Sequence, residues 1–116
     1  FQHVINRAKV SKESFTLAYF DIDSFMEVNE TYGHVGGDFV LISLVEKARR
    51  VLGDKGEVVR YGGDEFIILL PGMEREKAFL TLERLREMVE SETTYGTGEN
   101  TFNAKITISA GLASFP

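Results

Sequence analysis

Acidic residues stand where two apolar segments of the chain end, and carboxylates in such places can serve as metal ligands. Asp21 and Asp23 close the aromatic and branched run Phe15–Ile22, whereas Asp64 and Glu65 follow two consecutive glycines. Mg²⁺ is bound in proteins by one or two carboxylates together with substrate phosphate oxygens, and two such ions suit an in-line displacement at phosphorus. If the two segments are neighbours in a sheet, these residues indicate a metal–phosphate site.

The glycine pair in front of Asp64 can be interpreted in two ways. Glycine has no side chain, so a ligand backbone or a phosphate can approach Gly62 and Gly63 closely. Glycine and aspartate are also favoured in turns for purely conformational reasons. Taken alone, the sequence Gly62–Glu65 therefore leaves open both a ligand site and an ordinary acidic turn.

The spacing of apolar side chains predicts the elements that must hold these residues. The run Phe15–Ile22 carries aromatic and branched residues on both faces, as a central buried strand does. Two β-like runs, residues 57–61 and 66–70, flank the glycine turn and predict a hairpin. Between the strand and the hairpin we expect two helices, over residues 24–32 and 37–52, with Gly33 ending the first.

The second half of the chain adds a helix and a strand. Residues 74–90 show helical apolar spacing, and we expect the inward side chains to be these: Phe79, Leu82, Leu85 and Val89. Residues 93–100 are polar and predict a loop or a short hairpin. Residues 105–112 predict a strand whose core face is formed by Ile106, Ile108, Ala110 and Leu112. A helical spacing also occurs over residues 1–12.

These elements together predict an α+β fold, an α/β sandwich in which helices flank a mixed, largely antiparallel central sheet. A length of 116 residues suits one domain, residues 1–116. The net charge of −5 argues against a surface that coats nucleic acid. The absence of cysteine excludes disulfides and thiolate metal sites. No apolar run approaches the roughly 20 residues of a membrane span, so we expect no membrane contact from this chain.

Four blocks of the sequence, in order and at matching spacing, resemble the GGDEF family of diguanylate cyclases. Residues 60–66, RYGGDEF, contain the signature that names the family. Residues 21–30, DIDSFMEVNE, and 31–38, TYGHVGGD, are similar to its D-x-D-x-F-K-x-x-N-D and T-[YF]-G-H-x-x-G-D segments. Residues 106–112, ITISAGL, resemble its late I-T-[IV]-S-x-G strand. The resemblance covers about residues 15–112 and implies a nucleotidyl-cyclase or palm-like version of the fold.

The resemblance implies a metal site and its catalytic carboxylates. Asp21 and Asp64 would hold two Mg²⁺ ions, for which Mn²⁺ can substitute, and the backbone carbonyl of Ile22 would be a further ligand. Asp64 and Glu65 would be the catalytic residues. Glu65 could either remove a proton or complete the metal shell, since a carboxylate beside a metal can do both.

The resemblance also implies a set of substrate-binding residues: Asn29, Asp38, Leu41, Gly62 and Gly63. Asn29 and Asp38 would read guanine, because an acidic acceptor matches the N1–H and N2–H₂ donors that adenine lacks. Leu41, one turn after Asp38, would line the base pocket. Capping of helix ends is the alternative role for Asn29 and Asp38, since both residue types commonly accept hydrogen bonds from backbone amides there.

The implied reaction joins two GTP molecules into cyclic di-GMP and releases two pyrophosphates. Each domain would hold one GTP, so a homodimer is needed, and a regulatory domain outside this chain would control the pairing. The resemblance further implies a cytoplasmic domain, shortened at both ends relative to the family pattern, with any membrane anchor elsewhere in a parent protein.

One departure from the family pattern favours a second function. Met26 stands where the family usually has lysine, so a cation expected near the phosphates is missing. The alternative is a catalytically weak or degenerate GGDEF domain that binds GTP as a regulatory effector.

Overall fold

The main feature of the fold is a four-stranded antiparallel sheet with two long helices packed on it. A computed structural model describes residues 15–115, and the helix expected over residues 1–12 lies outside this range. The elements are β1 (Phe15–Ile22), α1 (Phe25–Leu52), β2 (Glu57–Arg60), β3 (Glu65–Pro71), α2 (Arg75–Ser91), β4 (Thr94–Tyr95), a 3₁₀ turn (Gly98–Asn100), β5 (Phe102–Asn103) and β6 (Ile108–Phe115). The α+β architecture predicted from the sequence is confirmed.

The main sheet has the strand order β2-β3-β1-β6, and each of these pairings is antiparallel. β1 is therefore central, as its apolar composition predicted. The strands β2 and β3 form the expected hairpin around the glycine turn. A second, two-stranded sheet of β4 and β5 occupies the segment expected to be a loop or short hairpin.

One face of β1 carries the core. Alternate residues from Thr16 to Ile22 are buried, and the ring of Phe20 stacks on Phe66 of β3 at a centroid distance of 5.0 Å. On the opposite face Tyr19 is 60% exposed. The expectation of burial on both faces is therefore wrong for Tyr19, whose ring lies against its cross-strand neighbour Gly111 on β6, where a Cβ would come within 2.7 Å of the ring.

α1 runs from Phe25 to Leu52 but breaks at Gly33, whose φ of 76° and ψ of 174° are not helical. The two predicted helices separated by this glycine are thus confirmed, although they follow each other without a loop. A residue with a side chain would be strained at this φ, which explains why glycine stands there. After the break, α1 packs Val40, Leu44 and Ala48 into the core.

α2 buries a stripe formed by Ala78, Leu82, Leu85 and Val89. The prediction that Phe79 points inward is wrong, because Ala78 occupies that position of the stripe and Phe79 is 47% exposed. The predicted strand over residues 105–112 starts later, at Ile108, and Ala110 is exposed rather than inward. Ala110 faces an open groove of about 320 Å³ between α2 and β6, so the core ends there.

A buried lysine fastens the β4–β5 hairpin to α1. Lys47 is 6% exposed, hydrogen-bonds Ser43, forms an ion pair with Glu92, and lies 5.6 Å from the centre of the Tyr95 ring. Burial, with a smaller contribution from the charge of Glu92, raises the pKa of Tyr95 to about 12. Elsewhere on the hairpin, Tyr32 of α1 stacks on Phe102 at 4.2 Å.

No helix within residues 15–115 combines the length and the apolar character required to cross a bilayer.

Candidate functional site

The register of the sheet brings the acidic end of β1 to the tip of the β2–β3 hairpin. Asp21 faces Glu65 across the β1–β3 ladder, and the N–H of Ile22 donates to the carbonyl of Asp64 at 3.2 Å. Asp21 and Glu65 are exposed, and Asp64 is half-buried. The neighbouring strands on which the predicted metal–phosphate site depended are therefore present.

The glycine turn is closed by backbone bonds and by one arginine. The N–H groups of Tyr61 and Gly62 donate to the carbonyl of Glu65 at 2.9 and 3.3 Å. The Arg60 guanidinium donates to the carbonyls of Gly62 and Gly63, at distances of 2.8 to 3.2 Å. The sequence shows the arginine at the start of the turn but gives it no partner, so its contribution to the shape of the turn follows only from the structure.

The two glycines of the turn differ in their surroundings. A Cβ atom on Gly62 would lie 3.2 Å from the side chain of Glu65, so substitution there would press on that carboxylate. Within residues 15–115, a Cβ on Gly63 would meet nothing within 4 Å. Packing in this part of the chain therefore does not require glycine at Gly63, and the open space beside it suits the close approach of a ligand.

Asn29 and Asp38 lie on opposite sides of the break in α1, and Asn29 lies against Gly37, the residue before Asp38. The Oδ1 atom of Asn29 lies so close to Gly37 that any Cβ there would overlap it. Asp38, the next residue, is exposed. Within residues 15–115 neither side chain makes a hydrogen bond with the protein, so the helix-capping alternative is wrong for both. Leu41 belongs to the core and is 6% exposed.

The donor set at the strand ends suits magnesium completed by a substrate. Within the described range, no three acidic, histidine or cysteine side chains gather closely enough to hold a metal ion by themselves. Mg²⁺ does not need such a cage, since it usually keeps waters and takes one or two carboxylates plus substrate phosphates. Asp21, Asp64 and the carbonyl of Ile22 are all hard oxygen donors at one end of the sheet.

The loop between β1 and α1 and the first turn of α1 hold the two remaining features of this region. The Asp23 carboxylate accepts hydrogen bonds from the hydroxyls of Thr107 and Ser109, so it is held against β6. Met26, in the first turn of α1, is 71% exposed, and its neighbour Glu27 is acidic. The missing cation at this end of α1 is thus not replaced by a basic residue in the same turn.

Comparison with known proteins gives a match over the whole chain. The family model described as "Diguanylate cyclase, GGDEF domain" matches residues 1–116. Diguanylate cyclase A of Treponema denticola is 33% identical over 97% of this chain. The chain spans only 30% of the length of that relative.

Solved structures show the same fold. The active GGEEF domain of a diguanylate cyclase from Vibrio cholerae is 32% identical, with a TM-score of 0.84 over 98% of this chain and 70% of that one. The GGDEF domain of DgcB from Caulobacter crescentus, solved in complex with c-di-GMP, is 30% identical, with a TM-score of 0.86 over 98% of this chain and 67% of that one.

Proposed function

The chain belongs to the GGDEF domain family of diguanylate cyclases, and from that premise we propose that it condenses two GTP molecules into cyclic di-GMP. The proposal is supported above all by the pairing of Asp21 with Glu65 across the β1–β3 ladder. Beside this pair, the backbone N–H of Ile22 donates a hydrogen bond to the carbonyl of Asp64. This pairing gathers the predicted metal ligands and catalytic carboxylates at one end of the sheet.

In the proposed reaction, each 3′-hydroxyl attacks the α-phosphorus of the other GTP. A new P–O bond forms, the bond to pyrophosphate breaks, and two pyrophosphates leave. Asp21, Asp64 and the carbonyl of Ile22 would hold two Mg²⁺ ions, or Mn²⁺ in their place. When bound, these ions would neutralise phosphate charge and lower the pKa of the attacking hydroxyl. Glu65, exposed at the turn, would accept the hydroxyl proton or complete the metal shell.

Guanine would be read by Asn29 and Asp38; the contact of Asn29 with Gly37, which precedes Asp38, supports this assignment. Both side chains lack hydrogen-bond partners in the described part of the chain, so their polar atoms are free for a base. Leu41 offers only a narrow apolar edge to that base, because only 6% of the residue is exposed. The open space beside Gly63 would accommodate the nucleotide against the turn, with Gly62 next to it.

The proposed reaction is symmetric and needs two domains, since one domain supplies one guanine site. We therefore propose a homodimer as the active state, with its formation controlled by a regulatory domain of a longer parent protein. This chain spans 30% of diguanylate cyclase A of Treponema denticola, and the remaining length of that relative is sufficient for further domains. We also propose a cytoplasmic location, since the proposed substrate is GTP.

The test is incubation of the protein with GTP and Mg²⁺ or Mn²⁺, followed by chromatographic separation of the nucleotides. We expect cyclic di-GMP from the wild type and none from Asp64→Ala, because that change removes a metal ligand. Asp54→Ala is the matched control, since Asp54 is an exposed carboxylate in the turn after α1. Metal-dependent turnover by Asp64→Ala would refute the metal assignment.

The second candidate function is a GTP-binding effector module, which Met26 favours because it removes the cation expected beside the phosphates. Tight GTP binding by the wild type without any cyclic dinucleotide, at protein concentrations that favour dimers, would support this function over the cyclase.

A further inference from the structure

Asp23 holds the end of β1 against β6 through both oxygens of its carboxylate. Thr107 donates its hydroxyl hydrogen to Oδ2 at 2.8 Å, and Ser109 donates to Oδ1 at 2.7 Å. The N–H of Asp23 also donates to the carbonyl of Thr107 at 3.0 Å. One residue thus makes three hydrogen bonds to a segment more than 80 positions away, and we name this group of bonds the Asp23 clamp.

The residues on each side of Asp23 connect the clamp to the proposed metal site and to the start of α1. Ile22, immediately before it, carries the carbonyl proposed as a metal ligand. Ser24, immediately after it, has φ 59° and ψ 31°, a left-handed conformation that residues with a side chain rarely adopt. Such a conformation persists where the surrounding structure holds it, and it often occurs at functional sites. The clamp supplies that restraint at the point where β1 turns into α1.

We propose that Asp23 is a positioning residue, one that orients the carbonyl of Ile22 and the carboxylate of Asp21 for metal binding without itself binding the metal. This inference rests on the metal site of the proposed function. Both Asp23 oxygens are already occupied by hydroxyl donors, whereas Asp21, two residues earlier, is exposed and has no such bond within the described range. Metal ligands are commonly held by partners of this kind, and loss of such a partner lowers metal affinity about 10- to 100-fold.

The hydrogen bonds of the clamp can be removed by changing either the acceptor or the two donors. Comparing these variants separates the effect of lost positioning from the effect of lost charge. Asp23→Ala removes the carboxylate. The double variant Thr107→Val/Ser109→Ala removes the two hydroxyls and leaves every carboxylate of the site in place. Asp54→Ala is the control for loss of one exposed carboxylate elsewhere. Asp23→Asn, which keeps the size of the side chain and one acceptor, serves if Asp23→Ala does not fold.

The measured quantity is the affinity for Mn²⁺, obtained from the electron paramagnetic resonance signal of free Mn²⁺. The titration is made in the presence of 3′-deoxy-GTP, which lacks the attacking hydroxyl. Circular dichroism and thermal unfolding of each variant accompany it. We expect Mn²⁺ affinity to fall about tenfold or more in Asp23→Ala and in the double variant, and to stay at the wild-type value in Asp54→Ala.

Two results would overturn the inference. A lower unfolding temperature with Mn²⁺ affinity within about twofold of the wild type, well below the loss expected for a ligand-orienting partner, would show that the clamp only stabilises the fold. Tighter Mn²⁺ binding by the double variant would show that the released Asp23 carboxylate is itself a ligand. A wild type that binds Mn²⁺ but forms no cyclic di-GMP refutes the proposed reaction and leaves the clamp standing, whereas a wild type that binds no Mn²⁺ overturns both.

Discussion

Gly37 lies between the two residues proposed to read guanine, and Gly37→Ala probes that site directly. A Cβ on Gly37 would overlap Oδ1 of Asn29, lie 3.0 Å from its Cγ and lie 3.2 Å from Cζ of Phe25. The methyl group must therefore displace the amide of Asn29 from its place against Gly37. The substitution leaves every polar group of the site in the chain and changes only where one of them lies.

The expected effects on stability and on binding have different origins. Alanine is favoured over glycine inside a helix by about 0.8–1 kcal/mol. Overpacking by one methyl group typically costs about 1–3 kcal/mol. The net loss in the free energy of unfolding is then between about 0 and 2 kcal/mol, which the fold should survive. Loss of one net hydrogen bond to guanine, about 0.5–1.5 kcal/mol, weakens GTP binding by about 2- to 13-fold.

Gly36→Ala is the matched control, because it places a methyl group in the neighbouring position of the same helix but in a different direction. Its Cβ would overlap Cβ of Tyr32 and approach the ring of Phe102 at 3.5 Å, away from Asn29. We expect Gly36→Ala to lower stability and to leave GTP affinity unchanged. The assay is calorimetric titration with 3′-deoxy-GTP and its adenine counterpart in Mg²⁺, together with thermal unfolding.

A double-mutant cycle with Asn29→Ala decides whether the effect passes through that amide. Once the amide is gone, the methyl group has nothing to displace, so Gly37→Ala should no longer weaken binding in the Asn29→Ala background. An equal loss of affinity in both backgrounds, or an equal loss in Gly36→Ala, would refute this account of the guanine site.

Two further predictions concern charge. Met26→Lys restores a cation in the exposed first turn of α1. Because solvent screens such a charge, we expect a gain of about 0.2–1 kcal/mol, or roughly 1.4- to 5-fold in turnover, that shrinks as salt is added. The control is Ile42→Lys, at another exposed apolar position of α1, and an equal gain there would show that only the net charge matters. The raised pKa of Tyr95 means that the folded chain keeps the phenol proton to about pH 12, whereas the unfolded chain releases it near 10. Stability should therefore fall as the pH rises through this window, and less so in Tyr95→Phe, as measured by denaturant unfolding; an unchanged pH dependence in Tyr95→Phe would contradict the assignment.

Much of the fold could be predicted because local signals agreed with it. β1 is apolar enough to be central, the glycine turn separates two β-like runs, and Gly33 breaks α1 where a helix end was expected. The predictions of an inward Phe79 and an inward Ala110 are both wrong, because both residues border the open groove between α2 and β6. Periodicity shows that an apolar face exists, but it does not show where the neighbouring element ends and leaves that face open.

The family, the chemical types at the site and the strands that carry them follow from the sequence, because they depend on residue identity and on spacing along the chain. Which distant residues meet depends on the three-dimensional fold. The Asp21–Glu65 pairing, the placement of Asn29 against Gly37 and the Asp23 clamp to Thr107 and Ser109 all depend on register and on a helix break in three dimensions. Side-chain contacts across such separations leave no local pattern, so Asp23 could be recognised as a clamp only once β1 and β6 lay side by side.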